Sequence, residues 1–349
     1  MNFKALTLTT LLFASFAAAQ SAPATQSQTF DFKNNPGQQG LQEIATVLRT
    51  VGDIRQLSID SASTITIQGT TDELAMSGWI IRQLDQPVTD PPSATASPLQ
   101  YPVAGKSDDV IRVFHVANLP KTPQVIQELL TTLRTVANDQ KAYTYTALQD
   151  LIVRGPAAQI ALSAYLINAL DVAPGSVTTA PEFQDQPVGA PSQVTRVFYL
   201  TTTKAPQQIQ EILTVLRTVV DVQKIFNSTA NNALAIRASA GDMATAAWII
   251  QSLDILPAAK PAPSAGPREF IMPVPPNGIG NSVRVFYLAH INTPKGIQET
   301  LTMLRTKLSI QKVFNYSTLP ALVVRGTADQ ITKAEQMINA QDQLAMTTP

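Results

Sequence analysis

The chain has 349 residues, 25 basic and 25 acidic, with two histidines and no cysteine. The lack of cysteine excludes disulfides, thiol catalysis and a lipidated-cysteine anchor. Zero net charge argues against nucleic acid or an anionic membrane as the main partner. A charged fraction of only 14% implies that some uncharged surface is covered.

The first residues carry Lys4, an apolar run over Ala5–Phe16, and Ala17 and Ala19 as an A-x-A site. They read as a signal peptide, residues 1–19, so the mature protein is expected to be periplasmic or secreted. Its removal takes Lys4 and leaves 24 basic against 25 acidic residues. Export without disulfides suits a bacterial periplasm. The run is too short to span a bilayer, which takes about 20 apolar residues. The mature chain is therefore expected to be soluble, with no integral membrane insertion.

One motif then recurs four times: LQEIATVLRT at Leu41–Thr50, IQELLTTLRT at Ile126–Thr135, IQEILTVLRT at Ile209–Thr218 and IQETLTMLRT at Ile297–Thr306. The spacing exceeds the roughly 20–50 residues of a solenoid unit and suits a small domain plus linker. In the third copy Arg196–Leu200 reads as a strand by its β-branched and aromatic content. Ala205 and Pro206 open a helix whose apolar stripe is Ile209, Ile212, Leu213, Leu216 and Val220. Val222–Phe226 is a second strand, Asn227–Asn232 a turn, Leu234–Arg237 a third strand and Gly241–Asp254 a second helix. The other first strands are Thr29–Lys33, Arg112–Val116 and Arg284–Leu288, and the other third strands Ile65–Gln68, Leu151–Arg154 and Leu322–Arg325.

The fold class is thus α+β: four tandem β-α-β-β-α modules, each a three-stranded sheet with two helices on one face. The modules span residues 28–86, 110–172, 195–256 and 283–343. Pro-rich linkers are expected at 87–109, 173–194 and 257–282. A shared scrap of pattern with apolar residues (Gln100-Tyr101-Pro102-Val103, Gln184-Asp185-Gln186-Pro187-Val188, Ile271-Met272-Pro273-Val274) suggests that the linkers dock in part.

Strand parity puts Phe30, Phe114, Phe198 and Phe286 on the core face. The other face carries His115, Tyr199 and Tyr287 on first strands, joined by Arg154, Arg237 and Arg325 on third strands. Two helices cover one face, so this second face is expected open and is the candidate interaction face. A second candidate is a polar flank repeated on each first helix: Gln42/Arg49, Gln127/Arg134, Gln210/Arg217 and Gln298/Arg305. It is read as a shared structural contact, because the second helices have diverged while the flank has not. Asp85, Asp171, Asp254 and Asp342 are expected to end each second helix, where the dipole disfavours a carboxylate. A contact with the repeated arginine, or capping of a following amide, is expected to compensate.

The element order, the helix pattern LxxLLxxL, the Asn-rich turn before Ala321-Leu322-Val323-Val324-Arg325-Gly326, and a second helix ending in Leu-Asp resemble one family. It is the short N-terminal repeat of bacterial secretins, the NolW-like or type II/III secretion system short domain. The resemblance covers all four copies and is most apparent in Val197–Asp254 and Val285–Asp342. It implies modules that stack and contact other parts of a secretion machine. No run of amphipathic barrel strands is read, so the resemblance implies an assembly or adaptor role without pore formation.

No catalytic, metal or cofactor site is read. His115 and His290 lie in different modules without ligand spacing. Gly278-Ile279-Gly280 lacks the rest of a dinucleotide fingerprint. Asn227-Ser228-Thr229 and Asn315-Tyr316-Ser317 read as turns rather than glycosylation sites. The module order is similar to KH domains, but the GXXG clamp is missing and nucleic acid is not expected. Two functions follow. One is a non-catalytic periplasmic interaction or assembly protein near a secretion or pilus-type machine, its partners envelope proteins or itself. The other is a soluble binding protein capturing a peptide or polymer along the Tyr/Arg faces.

Overall fold

A computed structural model describes residues 24–87, 100–106, 108–185, 191–259, 268–273 and 280–347. Residues 1–19, read as a signal peptide, parts of the Pro-rich stretches and the Gly278-Ile279 pair lie outside the described residues.

Module 1 contains β1 (Gln26–Asp31), α1 (Gly37–Thr50), β2 (Gln56–Ser61), β3 (Thr64–Gly69) and α2 (Thr71–Leu84). Its antiparallel sheet has the order β1-β3-β2. Module 2 begins with a strand from the linker, β4 (Gln100–Pro102), followed by β5 (Asp109–His115), α3 (Pro123–Thr132), β6 (Ala142–Tyr145), β7 (Asp150–Pro156) and α4 (Ala157–Leu170). Module 3 repeats this as β8 (Phe183–Asp185), β9 (Gln193–Tyr199), α5 (Pro206–Val215), β10 (Lys224–Ser228), β11 (Ala233–Ala238) and α6 (Ala240–Leu253). Module 4 is β12 (Arg268–Ile271), β13 (Ser282–Tyr287), α7 (Pro294–Lys307), β14 (Lys312–Tyr316), β15 (Ala321–Gly326) and α8 (Ala328–Thr347).

Three expectations change. Sheets 2–4 have four strands, because β4, β8 and β12 pair antiparallel with β5, β9 and β13. Of the shared apolar scrap in the linkers, Tyr101 and Pro102 lie in β4 and Met272 follows β12, while Pro187, Val188 and Val274 lie outside the described residues. First strands begin two or three residues earlier than their apolar content suggests. α8 does not stop at Asp342 but runs on to Thr347.

Local chemistry explains the helix ends. Thr122 and Thr293 accept the Val125 and Gly296 amides, each with Pro in the first turn. Thr70 and Glu73 form a reciprocal capping box on α2. α3 and α5 close with π-helical turns, Leu133–Ala137 and Leu216–Val220. After each first helix the chain reverses through one left-handed residue: Asp53, Asn138, Asp221 and Ser309. Asn and Asp tolerate that conformation best among residues with side chains.

Phe114, Phe198 and Phe286 are buried, and Phe30 is half-buried against its module's core. The second sheet face departs from expectation. In modules 2–4 it is closed by the helices of the preceding module: α1 lies against β6, α3 against β10 and α5 against β14. Three of the four apolar clusters therefore cross a module boundary. The core of module 1 takes in Ile111, Val113, Tyr145, Leu148 and Ile152 of module 2. That of module 2 takes in Val197, Ala233 and Ala235, and that of module 3 takes in Val283, Val285, Tyr316, Leu319, Ala321 and Val323. The cause is the width of the first helix's apolar surface. Besides the stripe facing their own sheet, these helices bury Val47/Val51, Thr132/Val136 and Val215/Val219. A helix apolar over so wide an arc needs a layer on each side. In module 4 the same positions are Met303, half-buried, and Lys307, exposed.

Candidate interface between modules

Each junction is organised by a long cation on the third strand reaching back to the end of the preceding first helix. Arg154 Nη1 donates to Val51 O at 3.0 Å and to Asp53 Oδ2 at 3.1 Å, while its Nε donates to Asp109 at 3.0 Å. Arg325 repeats this with Val219 O at 2.9 Å, Asp221 Oδ2 at 3.3 Å and Gly280 O at 3.1 Å. Only 1% of Arg325 is exposed, so these charge-assisted bonds replace most of its hydration, its Nη2 being buried without a partner among the described residues. Lys141 and Lys312 approach the same aspartates, Asp53 and Asp221. Arg237 reaches Val136 O at 3.5 Å and pairs with Asp185 of the linker strand.

The outward aromatics serve the same junctions. Tyr287 donates to Ser252 O at 2.7 Å, and Tyr199 donates to Ala169 O. Burial pushes the phenol pKa of both upward. His115, at the equivalent position, turns instead to buried Asp150. Burial raises the Asp150 carboxyl to about 6, against the opposing pull of His115. Asp139, also buried, rises to about 6, chiefly by burial, although Ser163 donates to it.

Two further sets of contacts were missed by the sequence reading. Glu43 accepts the Thr146 amide at 2.7 Å, Glu128 the Thr229 amide at 2.9 Å and Glu211 the Ser317 amide at 2.8 Å, each across a junction. Their signal was present, since Glu follows Gln in all four motifs. An aromatic on the second helix of modules 1–3 also meets an aromatic of the next linker strand: Trp79–Tyr101 at 5.5 Å, Tyr165–Phe183 at 5.4 Å and Trp248–Phe270 at 5.8 Å. The corresponding residue of module 4 is Gln336.

The repeated polar flank works within modules. Arg49, Arg134, Arg217 and Arg305 donate to Leu57 O, Ala142 O, Ile225 O and Val313 O, at 3.4, 2.8, 3.0 and 3.2 Å. Each ties its helix to the second strand of its own sheet. Gln127 and Gln210 add bonds to Thr144 and Asn227, and Gln42, Gln127, Gln210 and Gln298 remain exposed.

The expected Arg–Asp contact does not occur, because each Arg is engaged by a strand carbonyl. The aspartates cap amides more than 50 residues upstream, in the loop after the first strand. Asp85 takes Lys33 and Asn34; Asp171 takes Ala117, Asn118 and Leu119. Asp254 takes Thr201, Thr202 and Thr203; Asp342 takes Ala289, His290 and Ile291. Burial alone would raise the carboxyls of Asp254 and Asp342, but the amides outweigh it and hold both below the ordinary value.

Among the described residues no group of three metal-ligating side chains is present, and no helix is long and apolar enough to cross a membrane.

No protein-family model matches the sequence, and no curated protein matches it. Among solved structures the chain is similar to type II secretion secretins. Aeromonas hydrophila ExeD is 18% identical over 67% of this chain and 42% of that one, with a TM-score of 0.16. GspD of E. coli K12 is 16% identical over 67% and 40%, with a TM-score of 0.15. GspD in the ETEC pilotin–secretin AspS–GspD complex is 19% identical over 67% and 39%, with a TM-score of 0.17. The chain spans about two-fifths of these proteins' length. A likeness at these scores carries neither a function nor a partner across to this chain.

Proposed function

We propose that this is a non-catalytic interaction and assembly protein of the bacterial envelope, periplasmic after signal cleavage, working with a secretion or pilus-type machine. It acts as a continuous spacer of four secretin-type modules. One observation carries the reading: polar contacts repeated from junction to junction, third-strand arginines and first-helix glutamates, join each module to the next. The buried arginines, the Glu-to-amide bonds and the linker-strand aromatics hold the modules in one order, as a spacer requires. The contact surface left to partners is the long side of the stack, where the exposed Gln of each first helix recurs once per module.

Capture of a peptide or polymer along the Tyr/Arg faces is not retained. Arg154 and Arg325 are buried in junctions, and Tyr199 and Tyr287 are spent on carbonyls of the preceding module.

The test is photo-crosslinking in cells, with the reactive side chain at Gln42, Gln127, Gln210 or Gln298 in turn. Crosslinks to envelope secretion or pilus proteins are expected. Crosslinks confined to cytosolic proteins, or none at all four positions, would overturn the proposal.

A further inference from the structure

The three junctions share one plan, but the second lacks the carboxylate that follows the preceding helix at the other two. At the first and third junctions the left-handed residue ending the preceding helix is Asp53 or Asp221. Its carboxylate lies between a lysine and an arginine of the next module: Lys141 and Arg154, or Lys312 and Arg325. At the second junction the residue is Asn138, with the same left-handed backbone. The cations remain as Lys224 and Arg237. Among the described residues the Lys224 ammonium has no hydrogen bond or ion pair, although its backbone lies opposite Arg237 in the sheet, and Asp185 acts on it only at longer range. Arg237 is nine-tenths buried; its Nη2 goes to Asp185 and its Nη1 to Val136 O, while its Nε, like the Nη2 of Arg325, is buried with no partner among the described residues.

These groups line an open cleft of about 660 Å³ between modules 2 and 3, with Asn138, Gln159 and Gln193 around them. Burial and the nearby Arg237 charge lower the Lys224 pKa, against the weaker opposing pull of Asp185. Asp108 and Asp185 also border the cleft. Two carboxylates thus already face the two cations, which disfavours a polyanion.

We infer that this cleft is a carboxylate-binding site, in which an external carboxylate takes the place that Asp53 and Asp221 fill at the sister junctions. The guanidinium and ammonium supply charge-assisted bonds, and the Asn138 amide supplies a neutral donor where a built-in carboxylate would repel the ligand. The carboxylate can come from a small organic acid or from the C-terminus of a peptide.

The test is calorimetric titration of the full mature chain at constant ionic strength, with acetate, a tripeptide bearing a free C-terminus, the same tripeptide amidated, and chloride. Saturable binding of acetate or the free tripeptide, but not of the amide or chloride, is expected. Tighter binding of the tripeptide than of acetate identifies a peptide source, and equal binding a small acid. Lys224→Met, a partly exposed position that leaves the core intact, should weaken binding about tenfold, as befits the loss of one charge-assisted bond. Asn138→Asp should abolish binding and raise the unfolding midpoint, because it rebuilds the sister arrangement. Absence of carboxylate binding to the wild type, or equal binding to Asn138→Asp, would overturn the inference.

Discussion

The outward sheet face of module 1 and its counterparts in modules 2–4 occupy the same place in the same fold and carry opposite chemistry. In module 1 the face bears Ser27, Thr29 and Asp31 on β1, Thr66 and Gln68 on β3, and Gln56 and Ser58 on β2. Thr29 and Thr66 bond each other at 2.8 Å, and the β1 residues are exposed. In modules 2–4 the matching places hold Ile111 and Val113, Thr195 and Val197, or Val283 and Val285, all buried, beside Arg154, Arg237 or Arg325. The sheet fold is therefore indifferent to what its second face carries. Whether a helix layer lies on it decides the residues. Gln68 and Arg325 mark the difference in one position, the first left to water and the second enclosed.

The largest effect is expected inside a module. Phe286→Ala should cost about 3–5 kcal/mol, read from the urea midpoint, and unfold module 4 first. An effect below about 1 kcal/mol would break the parity on which the two faces are distinguished. Next comes the contrast itself. Arg325→Ala should cost about 3 kcal/mol, because Val219 O and Gly280 O lose a buried charged donor. Gln68→Ala should stay within about 0.5 kcal/mol. Equal costs would erase the distinction. Asp254→Ala, which frees three amides in a loop common to all modules, should cost about 1–3 kcal/mol by thermal unfolding.

The pH dependence is smaller and has two signs. Asp139 and Asp150, raised to about 6, bind their protons more tightly when folded. Stability therefore rises as pH falls from about 6 toward the ordinary carboxyl value near 4. Asp254 and Asp342 are lowered, so their contribution is complete above about 4 and is lost as pH falls through their folded values. Urea midpoints should be higher at pH 5 than at pH 7 or pH 3. Asp139→Asn should flatten the rise between pH 7 and 5. A monotonic decline from pH 7 downward would contradict the assignment.

Much of the fold was legible because four copies of a hydrophobic pattern check one another. Strand parity placed the Phe residues on the core face, and the recurring motif aligned the second-helix aspartates. The junctions were not legible as junctions. Val215 and Val219 look like ordinary helix residues until a second sheet is seen to need them. Arg325 on a strand reads as a surface cation unless the carbonyl that accepts it is known to lie in the preceding module. The linker strands were visible only as an apolar scrap, because three or four residues of edge strand carry too little alternation to show a period. The aspartate caps were missed because their partners are close in space and more than 50 residues away in sequence.

Amide hydrogen exchange on the full chain carrying Arg325→Ala tests most directly whether the second sheet face joins the modules into one stack. Faster exchange is expected at both ends of the lost contact: Ala321–Gly326 in module 4 and the end of the first helix of module 3, Leu216–Asp221. Module 1 should be unchanged. Faster exchange confined to module 4 would mean that the modules are strung rather than stacked, and would contradict the account.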